Sequence, residues 1–174
     1  FYILNNFFGR LIPSIKLTED IFLKMHELNF YFSPGKSELS PYPEIFHEKI
    51  YEKVSSFIPK NGNIVFDVGS HIGFFTINSA KKCGQYGQVF CFEPNPYTFK
   101  RLKKNIEING LSNIKSENIA ISDKLGSICL KIGESSEGST IMENGSLNFY
   151  SDYIEINTST LDEIVTRNKI KKID

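Results

Sequence analysis

The stretch from Asn63 to Phe75, NIVFDVGSHIGFF, constrains this chain more than any other. A short, unalternating run of apolar and β-branched residues is the pattern of a strand buried on both faces, and such strands belong to parallel sheets covered by helices. The run ends at Asp67 and passes into a turn carrying Gly69 and Gly73, with three residues between them. Ile72 to Cys83 then reads as a helix, and Gly84 and Gly87 mark the turn behind it. A second buried strand, QVFCFE, ends on another acid, Glu93.

The alternation continues. Asn95 suits a helix N-cap and Pro96 the first helical position; Phe99, Leu102 and Ile106 form one apolar face, and Asn109-Gly110 closes the helix. NIKSENIAIS supplies a third, shorter strand. Strand, helix, strand, helix, strand at these lengths predicts an α/β fold, a doubly wound parallel sheet of Rossmann-like type. Strands are expected near 64–67, 89–93 and 114–118, with the first close to an unfilled edge. GSICLKIG and DYIEINTST read as a small antiparallel insertion, and Thr160 with Glu163 forms a capping box for a last short helix. IKKID opens what reads as a fourth strand, so the sheet is expected to be incomplete here.

Before the sheet the signals are weaker. IFLKMHELNFYF fits a hairpin or a short helix equally well, and residues 1–42 are read as an N-terminal arm of undetermined structure, leaving 43–174 as the cofactor-binding part. From Pro43 to Phe57 the apolar positions Phe46, Ile50, Val54 and Phe57 predict an amphipathic helix. The first residues are apolar, but Asn5, Asn6, Arg10 and Pro13 interrupt them well short of the ~20 residues of a membrane span.

Composition excludes some partners. The 20 basic side chains offset 20 acidic ones, so there is no electrostatic case for nucleic acid. Cys83, Cys91 and Cys129 are an odd number without metal-ligand spacing and read as reduced thiols in a cytoplasmic setting. No metal site is expected, and the triplets beginning at Asn144 and Asn157 read as chance matches to a glycosylation signal.

In a doubly wound sheet, ligands bind outside the carboxyl ends of the strands, so the chemistry rests on Asp67-Val-Gly-Ser-His-Ile-Gly73 and Glu93-Pro-Asn-Pro. A carboxylate ending the second strand can accept two hydrogen bonds from a ribose diol. Dinucleotides favour the closer G-x-G-x-x-G spacing, in which backbone N–H groups cradle a pyrophosphate. The middle glycine is missing here. S-adenosylmethionine carries no phosphate and needs a tight backbone turn, a nearby carboxylate and an acidic ribose anchor. The spacing favours adenosylmethionine over a dinucleotide. A strand-end aspartate can also serve merely as a helix cap.

The blocks VFDVGSHIGFFTI, VFCFEPNPYTFKRLKKNIEINGLSNI, NIAISDKLGSICL and INTSTLDEIV…KKID, in this order, resemble the FkbM family of S-adenosylmethionine-dependent methyltransferases over about residues 44–174. The resemblance implies a class I methyltransferase fold and methyl transfer to a hydroxyl oxygen of a sugar-containing or other small metabolite, that is, a small-molecule or glycan acceptor. It places Asp67, Gly69, Ser70, His71 and Gly73 on the loop facing the methionine part, Glu93 on the ribose, and Pro94 and Asn95 beside the adenine. Asn118 and Ile119 fall on the adenine edge, and Asp174 on a block that continues Val-Glu-Gly in the family. The family loop commonly has Ala-Asn where this chain has Ser70-His71; a polar residue there more often faces solvent. His71, Asp174, His26 and His47 are the candidates for a general base, and none is assigned. The alternatives are a fragment of an NAD(P)-dependent oxidoreductase and a non-catalytic methyltransferase remnant.

Overall fold

The central strands pair as their residue pattern dictates. In the structure, a computed structural model that describes residues 20–33, 37–132, 140–142 and 153–174, β3 (Ile64–Val68), β4 (Gln88–Phe92) and β5 (Ile114–Glu117) form a parallel sheet in the order β3-β4-β5. Ile64 pairs with Gln88, and Val89 with Ile114. The crossovers are α1 (Phe74–Cys83) and α2 (Pro96–Ile108), and α3 (Leu161–Arg167) follows the insertion.

Strand β4 explains the layering. Its side chains alternate between faces: Val89 packs with Ala80 and Cys83 of α1, whereas Phe90 and Phe92 pack with Ile164 of α3. The sheet is therefore covered by helices on both sides, and β4 is buried from Val89 to Phe92. Strand β3 is less enclosed than its apolar run predicts. It lies at an edge among the described residues, and Val68 is 55% exposed.

Two helix starts follow their signals. Asn95 caps α2, its Oδ1 accepting the Tyr97 N–H at 3.0 Å and the Thr98 N–H at 3.3 Å. Thr160 caps α3 by accepting the Glu163 N–H at 3.1 Å. The insertion forms a sheet in the order β6-β9-β7-β8, where β6 is Ala120–Ile121, β7 Gly126–Lys131, β8 Thr140–Met142 and β9 Tyr153–Ser159. The expected antiparallel pair is β7 with β9; β6, read from sequence as part of the third strand, instead joins β9 in parallel. Asn157 lies exposed in β9, and Asn144 is outside the described residues.

Of the arm read over residues 1–42, residues 1–19 and 34–36 lie outside the described residues; within the rest, β1 (Ile21–Met25) and β2 (Leu28–Phe32) form a hairpin, antiparallel with Ile21 opposite Phe32. Phe30, Phe32, Tyr42 and Phe46 join Phe74 and Ile77 of α1 in one apolar cluster. The free edge of β2 is paired not by a strand but by α2. Asn105 and Asn109 stand four residues apart on the helix and bond the backbones of Tyr31 and Asn29, two apart on the strand. The match is geometric, because four helical residues rise ~6 Å and two strand residues span ~6.7 Å. Arg101 on the same stripe pairs with Asp20 and with Glu38, a carboxylate only 2% exposed, and Lys104 lies 3.5 Å from the centre of the Tyr31 ring.

The amphipathic helix expected over Pro43 to Phe57 does not form. Residues 43–47 make a single wide π-helical turn, Lys49 reverses the chain at φ 49°, and only short 3₁₀ turns follow at 50–52 and 55–57. Helices draw most of their stability from burying an apolar face, and this one has little to bury against. Phe46 is buried, but Val54 is 49% and Phe57 71% exposed.

Candidate functional site

The chain leaves β3 at Val68 and turns back over the end of β4. The N–H groups of Gly69 and Ser70 both donate to the Phe92 carbonyl, at 2.9 and 3.1 Å, and the Gly73 N–H donates to the Ser70 carbonyl at 2.9 Å. Gly69 lies at φ 79° and Gly73 at φ 97°, a left-handed backbone that side chains disfavour. The two glycines differ in what surrounds them. A Cβ on Gly73 would stand 2.6 Å from Leu102 Cδ1 of α2, whereas one on Gly69 would meet nothing within 4 Å. Gly73 thus seats the loop against α2, and Gly69 leaves an open face. Gly73→Ala is expected to lower stability by about 2–3 kcal/mol through strain and overlap, and Gly69→Ala by roughly 1 kcal/mol through strain alone; thermal melts of the two variants measure the difference.

Glu93 ties the loop to the end of β4. Its Oε2 accepts the His71 N–H at 2.8 Å and its Oε1 accepts the Asn95 N–H at 2.9 Å. A carboxylate has about four lone-pair sites. One on each oxygen is therefore left, side by side, as a vicinal diol requires. Burial raises the Glu93 carboxyl above its ordinary range, while these two N–H groups pull it back down.

The Asp67 carboxyl is turned inward. It accepts the Thr76 hydroxyl and is also bonded by the Thr76 backbone near the start of α1, and burial raises it to about 6 in spite of these bonds. It therefore does the work of a helix cap, and it is a buried acid as well. Neighbouring Cys91, pushed up to about 12 by burial and then by Asp67, is inert as a nucleophile. All three cysteines are free thiols.

His71 does not face solvent, contrary to the usual behaviour of a polar loop residue. Both ring nitrogens are buried, and neither has a hydrogen-bond partner among the described residues. Burial, helped by the Arg101 charge, lowers it to about 4. The ring is neutral at physiological pH and, among the described residues, carries an unspent donor and acceptor. Asn118 directs its Nδ2 to the Glu93 and Pro94 carbonyls at 2.7 and 2.9 Å, which leaves Oδ1, and Ile119 packs its side chain beside Phe90 and Phe92.

The structure thus brings Asp67, Gly69, Ser70, His71, Gly73, Glu93, Pro94, Asn95 and Asn118 to the carboxyl ends of β3 to β5. Asp174 is not among them. Its backbone N–H donates to the Ile64 carbonyl at 2.9 Å, and its Oδ2 accepts the Ile64 N–H at 3.1 Å. That is the opposite end of β3, roughly 13 Å from the loop at strand rise. His26 and His47 are also elsewhere, His26 stacked on Phe46 and His47 edge-on to Tyr42. Sequence reasoning did not single out Thr76, which holds Asp67, or Arg101, whose charge acts on His71.

The profile of the Methyltransferase FkbM domain matches residues 67–174, well over half of the chain. The chain belongs to the FkbM methyltransferase family. The cofactor of this family is S-adenosylmethionine, and the FkbM domain here has the class I methyltransferase fold: its glycine loop follows the first strand of a parallel sheet and an acid ends the second. "Methyltransferase 1" of Beauveria bassiana is 29% identical over 122 residues, which cover 69% of this chain and 45% of that protein. The chain therefore spans less than half the length of that curated relative. Among solved structures, M. jannaschii TYW2 in complex with AdoMet is 26% identical with a TM-score of 0.43, covering 59% of this chain and 44% of its own. A putative transferase, PH0793 of Pyrococcus horikoshii, is 17% identical with a TM-score of 0.45, covering 59% and 37%. No described helix is long and apolar enough to cross a membrane.

The residues present fit the cofactor. The loop has an open face at Gly69, Glu93 keeps two adjacent acceptor sites, and the buried His71 nitrogens lack partners among the described residues.

Proposed function

We propose that the whole protein transfers a methyl group from S-adenosylmethionine to a hydroxyl oxygen of a sugar-containing or other small metabolite, and that this chain supplies the cofactor half of the site. The observation that carries the reading is the Glu93 carboxylate, which locks the glycine loop to β4 through the His71 N–H and still has one acceptor site on each oxygen for a ribose diol. Gly69 to Gly73 face the methionine part, with Asp67 beneath them as the acid closest to its charged end. Asn118 Oδ1 and the Ile119 N–H face the adenine edge, next to Pro94 and Asn95. Asp174, placed at the far end of β3, takes no part.

The bound sulfonium supplies an electrophilic methyl group. The protein's task is to hold the acceptor oxygen in line and exclude water, and such positioning supplies up to ~7–11 kcal/mol. Balanced charge in this chain favours a small acceptor over nucleic acid. Incubating the whole protein with isotopically labelled adenosylmethionine and a panel of hydroxylated metabolites tests the reaction. Label on a sugar or other hydroxyl oxygen is the expected result; label entering only RNA or protein would refute the proposed acceptor class.

A further inference from the structure

The glycine loop is also held from α2. Ile72 is fully buried, with its side chain in the cluster that contains Phe30, Phe32 and Phe74. Its carbonyl lies outside the α1 ladder, which begins with the Ile77 N–H donating to Gly73. The bond it does accept comes from Asn105 Nδ2 at 2.9 Å. Asn105 sits fully buried on α2, where an amide is costly unless its groups are paired. They are: Oδ1 accepts the Tyr31 N–H at 2.7 Å, and Nδ2 donates to the Tyr31 carbonyl at 3.1 Å as well as to Ile72. One side chain thus joins the N-terminal hairpin to the loop. Asn109, one turn on, accepts the Asn29 N–H at 2.9 Å and donates to the Asn29 carbonyl at 2.7 Å. Its other bond returns to the Asn105 carbonyl at 2.7 Å within its own helix. The two amides do the same work on the hairpin, and only Asn105 reaches the loop. Just before Ile72, His71 occupies the left-handed region at φ 52°, a conformation that must be held by its surroundings.

We infer that Asn105 is a positioning residue for the cofactor: it fixes the Ile72 carbonyl, and so the path of the chain from Ser70 to Gly73, and it makes that path depend on the docked β1–β2 hairpin. The inference rests on the reading of this loop as the adenosylmethionine loop. Asn105 touches no reacting group; it acts through the backbone that does the binding.

Comparing Asn105→Ala with Asn109→Ala in the whole protein separates positioning from stability. Both variants lose hairpin bonds and are expected to melt earlier. Calorimetric titration with S-adenosylhomocysteine is expected to show binding weakened about tenfold or more for Asn105→Ala, the loss of one buried hydrogen bond at the loop, and by less than about twofold for Asn109→Ala. Equal affinities in the two variants would overturn the inference. Wild-type protein provides a second arm that does not depend on the variant folding. Coupling is reciprocal, so saturating adenosylhomocysteine is expected to slow hydrogen exchange at the Tyr31 amide by severalfold, and an unchanged rate there overturns the inference as well. Wild-type protein that binds no adenosylhomocysteine defeats instead the reading of the loop, an outcome distinct from either.

Discussion

Glu93→Ala is expected to weaken S-adenosylhomocysteine binding by on the order of a hundredfold or more. On the proposed reading, the substitution would remove two charge-assisted bonds to the ribose, worth about 1.5–3 kcal/mol each when made to an ionised group. It also strands the N–H groups of His71 and Asn95, which Glu93 now receives at 2.8 and 2.9 Å. The loop would lose its tie to β4 at the same stroke. Glu93→Gln keeps the shape but only one acceptor oxygen, so its NH2 faces one of the two N–H groups; it is expected to bind with intermediate affinity and to melt between Glu93→Ala and wild type. Calorimetry on the two variants checks this order; wild-type affinity in Glu93→Gln and Glu93→Ala alike would remove Glu93 from the site.

A second large effect lies in the pH dependence of stability, because two buried groups pull in opposite directions. Asp67 is raised to about 6 by burial. Its folded value lies above that of the unfolded chain, so its stabilising contribution is complete below the ordinary carboxylate range and is lost as pH rises through about 6. The full difference is roughly 3 kcal/mol. His71 is lowered to about 4 by burial and the Arg101 charge. Its contribution is complete above the ordinary histidine value and is lost as pH falls toward 4, again by roughly 3 kcal/mol. Glu93, also raised by burial, adds a slope of the same sign as Asp67. Asp67→Asn, whose amide oxygen can still accept from Thr76, is therefore expected to gain stability relative to wild type as pH rises from 4 to 7.5. His71→Gln is expected to gain relative to wild type as pH falls over the same range. Thermal melts of the three proteins across that range measure both slopes. Parallel profiles would show that neither group titrates as its burial requires. Asp67→Asn should also bind adenosylhomocysteine less tightly, since a carboxylate kept at a stability cost is one retained for binding.

The legible parts of this molecule were those in which local chemistry and tertiary packing agree. Asn95 and Thr160 are caps in sequence and in structure because a cap needs only the next three residues. β4 is a buried strand because both its neighbours and both helical layers are encoded close by. The stretch from Pro43 to Phe57 failed for the opposite reason. Its apolar spacing is helical, but what an apolar face buries against is not written in the segment itself, and Phe57 was left outside. The hairpin at 21–32 was equally open until its partner was known, and that partner is a polar stripe on α2. Arg101, Asn105 and Asn109 recur at a stride of four; read as a docking face rather than a solvent face, that stride was the available signal. In the site itself, both strand-end acids were visible from spacing. The burial of His71 was not, because a side chain's exposure in a loop is set by tertiary packing that its own neighbours in sequence do not encode. Asp174 matched a family block by order along the chain, and order does not say at which end of a strand a residue lies.

The central claim is that the loop after β3 and the acid after β4 bind S-adenosylmethionine. Calorimetric titration of S-adenosylhomocysteine into the whole protein, with NAD as the control ligand, tests it most directly. The structure predicts saturable one-to-one binding of adenosylhomocysteine, weakened on the order of a hundredfold or more in Glu93→Ala, and no heat from NAD. Binding of NAD without adenosylhomocysteine, or of neither, would contradict it.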